Sequence, residues 1–417
     1  MTGEACAPSY EALSACLGEQ APIALRLLDL EELNASLTLP MSRSGIPYRR
    51  MLALVRRDGR PLGWRALPVS ADGSVALGGL SDPGSRSSNG RPVGLAGESS
   101  PVSVVVTTCA HTESVLECVQ SIVACAAREP DAVREVIVVE NRPVLSTVER
   151  ALEECFGGDP RIRYVEQHRR GLSHARNAGL DAARGELVAF TDDDIKVDRD
   201  WLKSVRATFA GSSEADCVTG LILPLELENP VQTLAERFAS FGKGLESRLY
   251  SLASAPPDQP LFPYSAGYFG SGANMVFRAE ALRGLGGFDP ALGAGTRARG
   301  GEDLDVCIRL LNGGGTLAYE PAAIVWHRHP DAPERLREQV FAYGVGLGAL
   351  LGKQLATGPN RRSMLARAPQ GLRYFIDPSS RKNVTRGSAF PVALSRLERA
   401  GVLCGPAAYL ASRAARR

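Results

Sequence analysis

Apolar and polar residues alternate in two different ways along the chain, and the pattern changes near residue 100. In the first part, short apolar runs are interrupted by the pairs Asp58-Gly59 and Asp72-Gly73, which are strong signals for tight turns between β-strands. We therefore expect a small N-terminal domain over residues 1–80 that ends in a β-meander. Because this region shows no clustered His, Cys or carboxylate side chains, we interpret it as an accessory domain without chemistry of its own.

The segment 81–100 differs in composition from the chain on either side of it. Thirteen of its 20 residues are Gly, Ser, Pro or Asn, a composition typical of loops and flexible connections. We predict a flexible linker here, between the N-terminal domain and the rest of the chain.

From residue 101 onward, continuous apolar runs alternate with amphipathic segments. The apolar runs predict strands at 101–108, 133–141, 161–166 and 186–191. Helical spacing of apolar residues predicts helices after the first strand and at 172–185. This alternation is typical of a doubly wound, mostly parallel α/β sheet over residues 101–330, and ligands bind such sheets beyond the carboxyl ends of the strands.

The C-terminal part, residues 331–417, is predicted to be a helical extension. Gly344, Gly348 and Gly352 recur at every fourth position, which favours close approach of a second helix, although a helix at a membrane interface is an alternative. The longest apolar window, 340–352, is shorter than the roughly 20 residues that cross a bilayer. We therefore expect no transmembrane span.

Composition and charge narrow the class of protein. Apolar residues make up 44% and charged residues 23% of the 417 residues, and the net charge is +2, which argues against bulk disorder and against a nucleic-acid-coating protein. The nine cysteines are scattered without a CxxC pair, which fits a reducing compartment. No secretory signal opens the chain. We expect a cytoplasmic protein that does not bind nucleic acid.

The charge is nevertheless uneven. Residues 359–417 contain twelve Arg and Lys against two acidic residues, interleaved with aromatic and aliphatic side chains. Such a segment can lie on an anionic bilayer, so we predict membrane-surface contact through 359–417, on the inner face of the plasma membrane. A solvated basic tail or a homodimer contact is the alternative.

Three adjacent carboxylates, Asp192, Asp193 and Asp194, follow directly after the strand predicted at 186–191. Like charges at this spacing repel one another, and the arrangement becomes favourable when a divalent cation supplies positive charge. The position predicts a Mn²⁺ or Mg²⁺ site at the carboxyl edge of the sheet. The alternative is an acidic loop in which Asp194 caps the next helix.

A second acidic group lies in the segment 300–305, which opens a predicted amphipathic helix. Its two glycines would let the backbone approach a ligand, and Asp303 would present a carboxylate as general base. The structural alternative is that acidic residues in a first helical turn balance the helix macrodipole.

Two other segments carry candidate residues. The apolar run 322–326 ends in His327, and an imidazole at a strand end is a candidate third metal ligand beside the carboxylate triplet. The glycine-rich segment 267–274, which includes Gly272, predicts either a tight turn or close approach of a substrate to the backbone.

These segments together resemble family 2 of the glycosyltransferases. The resemblance covers residues 101–330 and is carried, in order, by PVSVVVTT, VIVVEN, GLSHARNAGLDAARGELVAFTDDD, GSGANMVFRAEALRGLGGFD, GGEDLDVCIRLL and YEPAAIVWHRH. It implies a GT-A fold, a UDP-, dTDP- or GDP-sugar donor, and a divalent metal on the DxD motif. It also implies inversion at the anomeric carbon and, by analogy, a saccharide or lipid-linked acceptor in polysaccharide or cell-wall synthesis.

Carried onto this chain, the resemblance assigns residues to the donor and the metal. It implies that Asp192 contacts the nucleoside and, with Asp194 and His327, holds the metal. The other donor-side residues that it implies are Thr107, Glu140, Arg176, Asn177, Asp193 and Gly272. The usual residue at position 140 is Asp, so the longer side chain of Glu140 moves the carboxylate outward in the base pocket.

For the chemical step, the resemblance implies that Asp303 is the catalytic base and that Glu302 beside it positions the acceptor. The leaving diphosphate needs charge stabilisation and no acid, whereas the attacking hydroxyl must lose its proton. A nucleotidyltransferase acting on a sugar phosphate is the alternative enzyme, but the Gly-rich, Lys-containing loop it needs after the first strand is replaced here by TTCAHTESV. A non-catalytic carbohydrate-binding or scaffold protein is disfavoured by the joint presence of all four residues: Asp192, Asp194, Asp303 and His327.

Overall fold

The structure of the protein is a computed structural model. It describes residues 21–78, 80, 100–143, 147–239, 241–265, 267–359, 361–377, 379–386 and 390–415. Except for Ser100, the predicted linker at 81–100 lies outside the described residues.

The N-terminal strands form two small sheets. They are β1 (Ala24–Asp29), β2 (Ser36–Thr38), β3 (Arg50–Arg57), β4 (Arg60–Pro68) and β5 (Ser74–Ala76). β3 and β4 form the hairpin predicted at Asp58-Gly59, where both residues have positive φ, and β1 adds to β3 in parallel. The predicted meander is wrong beyond this hairpin, because β5 pairs with β2. β4 ends at Pro68, and Val75 of β5 is fully buried in a separate apolar cluster with Met51.

A nine-stranded sheet forms the centre of the molecule. Its strands are β6 (Val102–Thr108), β7 (Val133–Asn141), β8 (Ile162–Gln167), β9 (Leu187–Asp192), β10 (Ile195–Val197), β11 (Cys217–Pro224), β12 (Arg248–Tyr250), β13 (Met275–Arg278) and β14 (Leu317–His327). They lie in the order β10-β14-β11-β13-β9-β6-β7-β8, and β12 also pairs with β14. β10, β12 and β13 run against the other six strands. The expected mostly parallel α/β sheet is confirmed.

Helices cover both faces of this sheet. They are α1 (Thr112–Ala126), α2 (Thr147–Phe156), α3 (Leu172–Ala182), α4 (Trp201–Gly211), α5 (Pro230–Ala239), α6 (Ala279–Gly284) and α7 (Glu302–Asn312). Successive residues of a strand point to opposite faces. Val104 and Val106 of β6 accordingly join a core with α1 and α4, and Val105 joins a core with α3 and α7. Burial on both faces explains why these strands are continuous apolar runs in the sequence.

The N-terminal strands pack directly on the central sheet. One apolar cluster combines Leu52 and Trp64 with Leu221 of β11 and Ile324 of β14. The guanidinium of Arg56, which is 1% exposed, pairs with Asp29 within the N-terminal region and with Asp198 and Asp200 across the boundary. Apolar contacts and buried ion pairs therefore both hold the N-terminal region in place.

The C-terminal region is helical, as expected. Its helices are α8 (Pro333–Thr357), α9 (Arg361–Ile376), α10 (Arg381–Arg386) and α11 (Val392–Ala414). A Cβ added at Gly344 would lie 2.3 Å from the carbonyl oxygen of Glu398, and one at Gly348 would lie 2.1 Å from that of Val402. The glycine repeat thus permits the close helix packing that the sequence predicts, with α11 as the partner. Among the described residues, no helix combines the length and the apolar character that crossing a bilayer requires.

Candidate active site

The carboxyl ends of β6 and β9 bring the first candidate residues together. These strands pair in parallel with Thr107 opposite Asp192, and the Thr107 hydroxyl donates to Asp192 Oδ1 at 3.4 Å. Parallel strands end at one edge of a sheet, so residues far apart in the chain meet there. The carboxylate triplet therefore lies at the edge where the sequence places ligand binding.

Arg176 on α3 lies at the centre of the site and is 1% exposed. Its Nη2 donates to Asp192 Oδ1 at 3.0 Å and to the carbonyl oxygen of Gly272 at 3.2 Å. Its Nη1 donates to Glu302 Oε1 at 2.8 Å. The guanidinium also lies over the ring of Phe288, 5.6 Å from the centroid. A single buried cation thus connects the triplet to the start of α7.

The start of α7 depends on a glycine. Gly301 has φ of 87°, and a Cβ at this position would lie 2.7 Å from the carbonyl oxygen of Gly346 on α8. Glu302, the first helical residue, is 5% exposed, and burial together with the charge of Asp303 raises its pKa above the usual range of a glutamate, against the opposing effect of Arg176. Glu302 is therefore a buried partner of the arginine.

Asp303, the predicted base, is held in a defined orientation. Its Oδ2 accepts a hydrogen bond from the backbone N–H of Gly272 at 2.8 Å, and its Oδ1 accepts one from the N–H of Leu304 at 2.8 Å. A Cβ on Gly272 would lie 2.7 Å from both Nη atoms of Arg176. Gly272 thus allows a close approach to its backbone, and the group that approaches is the side chain of Arg176. Asp303 itself is only partly buried.

The second carboxylate of the triplet faces the start of α1. Asp193 Oδ2 accepts from the Thr108 hydroxyl at 2.5 Å and lies 2.9 Å from Nδ1 of His111. Asp193 also raises the pKa of His111. The contacts of Asp193 therefore differ from those of its two neighbours.

Asp194 and His327 face each other across the pairing of β10 with β14. Asp194 Oδ2 lies 3.5 Å from His327 Nε2, and the Asp194 side chain is 40% exposed. Partial loss of hydration and the charges of Asp192 and Asp193 raise the pKa of Asp194 above the usual range of an aspartate. Burial, with a smaller contribution from His329, lowers the pKa of His327 to about 3, so its imidazole is neutral. β10 begins at Ile195, so Asp194 does not cap a helix.

The donor set at Asp194 fits a divalent cation in part. A carboxylate oxygen in a field of excess negative charge suits Mn²⁺ or Mg²⁺, and a neutral imidazole nitrogen is a ligand for transition metals. Within the described part of the chain, however, no group of three His, Cys, Asp or Glu side chains is placed to hold a metal ion. The Asp192 carboxylate is engaged by Arg176 and Thr107, so of the three predicted metal ligands Asp194 and His327 are the two that face each other. Mg²⁺ is often bound through one or two carboxylates together with substrate phosphates, and Asp194 would supply one such carboxylate.

A second layer of residues stands behind His327, and sequence reasoning missed part of it. His329 Nδ1 lies 3.4 Å from His327 Nδ1, and His329 Nε2 lies 2.6 Å from Glu236 Oε2 on α5. The ring of Phe241 stacks on His329 and meets His327 edge-on. Glu236 belongs to no motif, and no pattern in the sequence marks it.

Two other predicted donor residues have protein partners. Glu140, at the end of β7, is 1% exposed and accepts a hydrogen bond at 2.6 Å from the hydroxyl of Tyr164, whose pKa it raises together with burial. Asn177 donates to the carbonyl oxygen of Phe288 and accepts from its N–H, both at 2.8 Å. The amide of Asn177 thus holds the backbone of the segment before α7 in place. The structure does not bring Asn177 to the carboxylates of the triplet.

A cavity of about 750 Å³ adjoins this arrangement, and its wall includes Arg176, Asp192, Glu302 and Asp303. A doubly wound sheet, an acidic triplet beyond β9 and an acidic helix start joined to it define the class of the central domain. That class is the GT-A fold.

Sequence comparison matches the central domain to a known family. Residues 103–286 match the family described as Glycosyl transferase family 2.

Individual relatives share the central domain. A pre-mycofactocin glycosyltransferase from Mycobacterium tuberculosis is 33% identical over 162 residues, which are 39% of this chain and 31% of that protein. A glucosyl-dolichyl phosphate glucuronosyltransferase from Haloferax volcanii is 25% identical, over 54% of this chain and 69% of its own. A mannosyltransferase structure from Pyrobaculum calidifontis with GDP-Man and Mn²⁺ has a TM-score of 0.47 at 19% identity, covering 76% of this chain and 86% of its own. The chain spans less than a third of the length of the mycobacterial relative.

Proposed function

We propose that the protein is an inverting glycosyltransferase that moves a sugar from a nucleotide-sugar donor to a hydroxyl of a saccharide or lipid-linked acceptor. One observation carries this proposal. Arg176 joins the first carboxylate of the triplet to the start of the helix that presents Asp303, and all of these groups line one cavity. Donor contacts and a general base are thereby held at a fixed separation, as a direct displacement requires.

On the donor side, Asp192 contacts the nucleoside while Arg176 fixes its carboxylate. Thr107 and Glu140 lie at the ends of neighbouring strands and would border the base pocket, and the Tyr164 hydroxyl donates a hydrogen bond to Glu140. We propose a UDP-, dTDP- or GDP-sugar as donor.

The proposed function includes Mn²⁺ or Mg²⁺ as a cofactor. Asp194 and His327 would hold it, and the bound ion would stabilise the charge that develops on the departing diphosphate. The burial that keeps His327 neutral leaves a lone pair available for a metal over the physiological pH range.

In the chemical step, Asp303 accepts the proton of the acceptor hydroxyl. The acceptor oxygen bonds to the anomeric carbon as the bond from that carbon to the diphosphate oxygen breaks on the opposite face, which inverts the configuration. Hydrogen bonds from the N–H groups of Gly272 and Leu304 fix the orientation of the Asp303 carboxylate. A general base placed in this way contributes about 10²- to 10⁴-fold to the rate.

For the acceptor and its location, we propose a polysaccharide or cell-wall glycan intermediate at the inner face of the plasma membrane, with the protein cytoplasmic and bound through residues 359–417. The name of the Haloferax relative, which denotes a dolichyl phosphate acceptor, supports a lipid-linked molecule. Exposed arginines in this region, such as Arg373, Arg396 and Arg399, supply positive charge. Truncation would uncover the glycine face of α8, so reversing these charges to Glu is the better test: binding to anionic liposomes should fall, and equal binding would contradict membrane contact. Sedimentation velocity on the same samples tests a homodimer.

The activity is tested by release of nucleoside diphosphate from a panel of UDP-, dTDP- and GDP-sugars with Mn²⁺ or Mg²⁺. We expect slow metal-dependent hydrolysis of one donor, loss of that hydrolysis in Asp194→Ala, and a further reduction in Asp303→Asn. If calorimetry showed no metal-dependent binding of any donor, the proposal would be wrong.

A further inference from the structure

The cavity that contains the carboxylates extends well beyond them. Besides Asp303, its wall includes Leu351 and Leu355 of α8 and Leu365 and Leu372 of α9. Its volume of about 750 Å³ lies within the usual range of roughly 300–1,000 Å³ for ligand pockets. One continuous space thus joins the predicted base to a surface formed by the C-terminal helices, which lie outside the matched family segment 103–286.

The cavity side of α9 is mostly apolar, with Arg367 and Tyr374 beside the apolar residues, and part of it is exposed to solvent. Leu365, Ala368, Leu372 and Phe375 recur at helical spacing and all line the cavity. Leu365 is 57% exposed and Leu372 is 64% exposed. Met364 is the one buried side chain among those described in α9. An amphipathic helix ordinarily buries such a stripe, so an apolar occupant would complete its packing.

The chemistry of this wall indicates which part of a substrate it would take. A sugar ring is oriented by directed polar groups, and these are concentrated around Arg176 and Asp303. The wall formed by α8 and α9 instead offers leucine side chains, which gain from excluding water from any alkyl surface, whatever its orientation. Because Leu365 and Leu372 are open to solvent, a chain longer than the cavity can continue out of it.

We propose that the acceptor is an amphipathic glycolipid whose hydroxyl reaches Asp303 while its alkyl chain lies against the α9 stripe of Leu365 and Leu372. This inference rests on the proposed function, since it names the class of acceptor for the same site. The C-terminal extension is then part of the substrate-binding surface.

The test compares matched glycoside pairs. Octyl, phenyl and methyl glycosides of glucose, galactose, mannose and N-acetylglucosamine are titrated into the full-length protein by calorimetry, below the micelle concentration. We expect the octyl form of at least one sugar to bind about tenfold or more tightly than its methyl form, since each buried methylene adds to the affinity. The double variant Leu365→Gln/Leu372→Gln should remove this preference. Leu403→Gln, at a leucine that is 82% exposed and lies outside the cavity wall, should leave it unchanged.

Several outcomes would overturn the inference: equal affinity for octyl and methyl forms, tighter binding of phenyl forms, or the same loss in Leu403→Gln. Donor binding, measured on the same samples, distinguishes failure of the glycolipid acceptor from failure of the proposed transferase activity. Retained donor binding without an octyl preference rejects the glycolipid acceptor alone. An octyl preference without binding of any nucleotide sugar rejects the proposed transferase activity.

Discussion

The Nε2 atom of His329 lies 2.6 Å from Oε2 of Glu236, and both side chains are 1% exposed. When the Glu236 carboxylate accepts the Nε2 proton of a neutral His329, Nδ1 of His329 is left as an acceptor for Nδ1–H of His327. The remaining nitrogen of His327, Nε2, then presents its lone pair beside Asp194. Glu236 thereby selects the tautomer of His327 that can bind a cation.

Glu236→Gln should weaken metal binding by about 10- to 100-fold, because the amide no longer fixes this tautomer. Titration of Mn²⁺ into the protein measures the effect independently of turnover. Glu113→Gln, at an exposed glutamate of α1, is the control and should bind Mn²⁺ as the wild type does. Unchanged Mn²⁺ affinity in Glu236→Gln would show that Glu236 does not contribute to metal binding.

Asp303→Asn should lower kcat for sugar transfer by about 10²- to 10⁴-fold, because an amide cannot accept the hydroxyl proton. Donor affinity should be unchanged, since the Asn oxygen can still accept the N–H of Gly272. Parallel measurement of kcat and donor Kd checks both expectations. A fall in donor affinity with normal kcat would assign Asp303 to donor binding instead.

Gly272→Ala should reduce kcat/KM by about 10²-fold, the effect expected from misplacing a catalytic group by about 1 Å. Its new methyl group would lie 2.7 Å from both Nη atoms of Arg176 and displace the guanidinium from Asp192 and Glu302. Gly284→Ala is the matched control, because nothing lies within 4 Å of a Cβ there. Equal activity of the two variants would show that the position of Arg176 is not critical.

Arg56→Met should lower the free energy of unfolding by about 3–5 kcal/mol, the usual effect of removing one partner of a buried ion pair. The loss removes the cation that Asp29, Asp198 and Asp200 share, and leaves Arg199 as the remaining partner of Asp29 and Asp200. Urea denaturation measures it, with Arg57→Met on the exposed side of the same strand as control. If both variants unfold like the wild type, this ion-pair cluster does not stabilise the N-terminal region.

The buried state of His327 predicts a pH dependence of stability. Its pKa of about 3 in the folded protein lies below the ordinary value of 6.5, so the unfolded chain binds more protons between these values. Stability should therefore fall as the pH is lowered through this window. Denaturation with a chelator present, at pH 7 and pH 5, should show a smaller fall in His327→Gln than in the wild type. His168→Gln, at a histidine whose side chain is 76% exposed, should behave as the wild type. An identical fall in all three proteins would contradict the burial of a neutral imidazole.

The sequence by itself determined the succession of strands from β6 to β9, the helices α1 and α3 between them, and the edge at which the carboxylates lie. Apolar periodicity is a local property, and it fixes which faces of β6 and α1 are buried. The triplet at 192–194 follows its strand directly, so its place at the carboxyl edge follows from the parallel pairing of β9 with β6. The predicted N-terminal meander was wrong at β5, which pairs with β2, because strand partners depend on packing.

Only the tertiary structure decided which groups meet at that edge. Arg176 and Glu302 are 126 positions apart, and Glu236 and His329 are 93 positions apart, so no local pattern records either pair. Of the three predicted metal ligands, Asp192 pairs with a buried guanidinium that must be neutralised, whereas Asp194 and His327 face each other. The apolar wall of α9 likewise depends on where the C-terminal helices lie over the cavity. Charge pairing and cavity shape are properties of three-dimensional packing, which the order of residues specifies only through the completed fold.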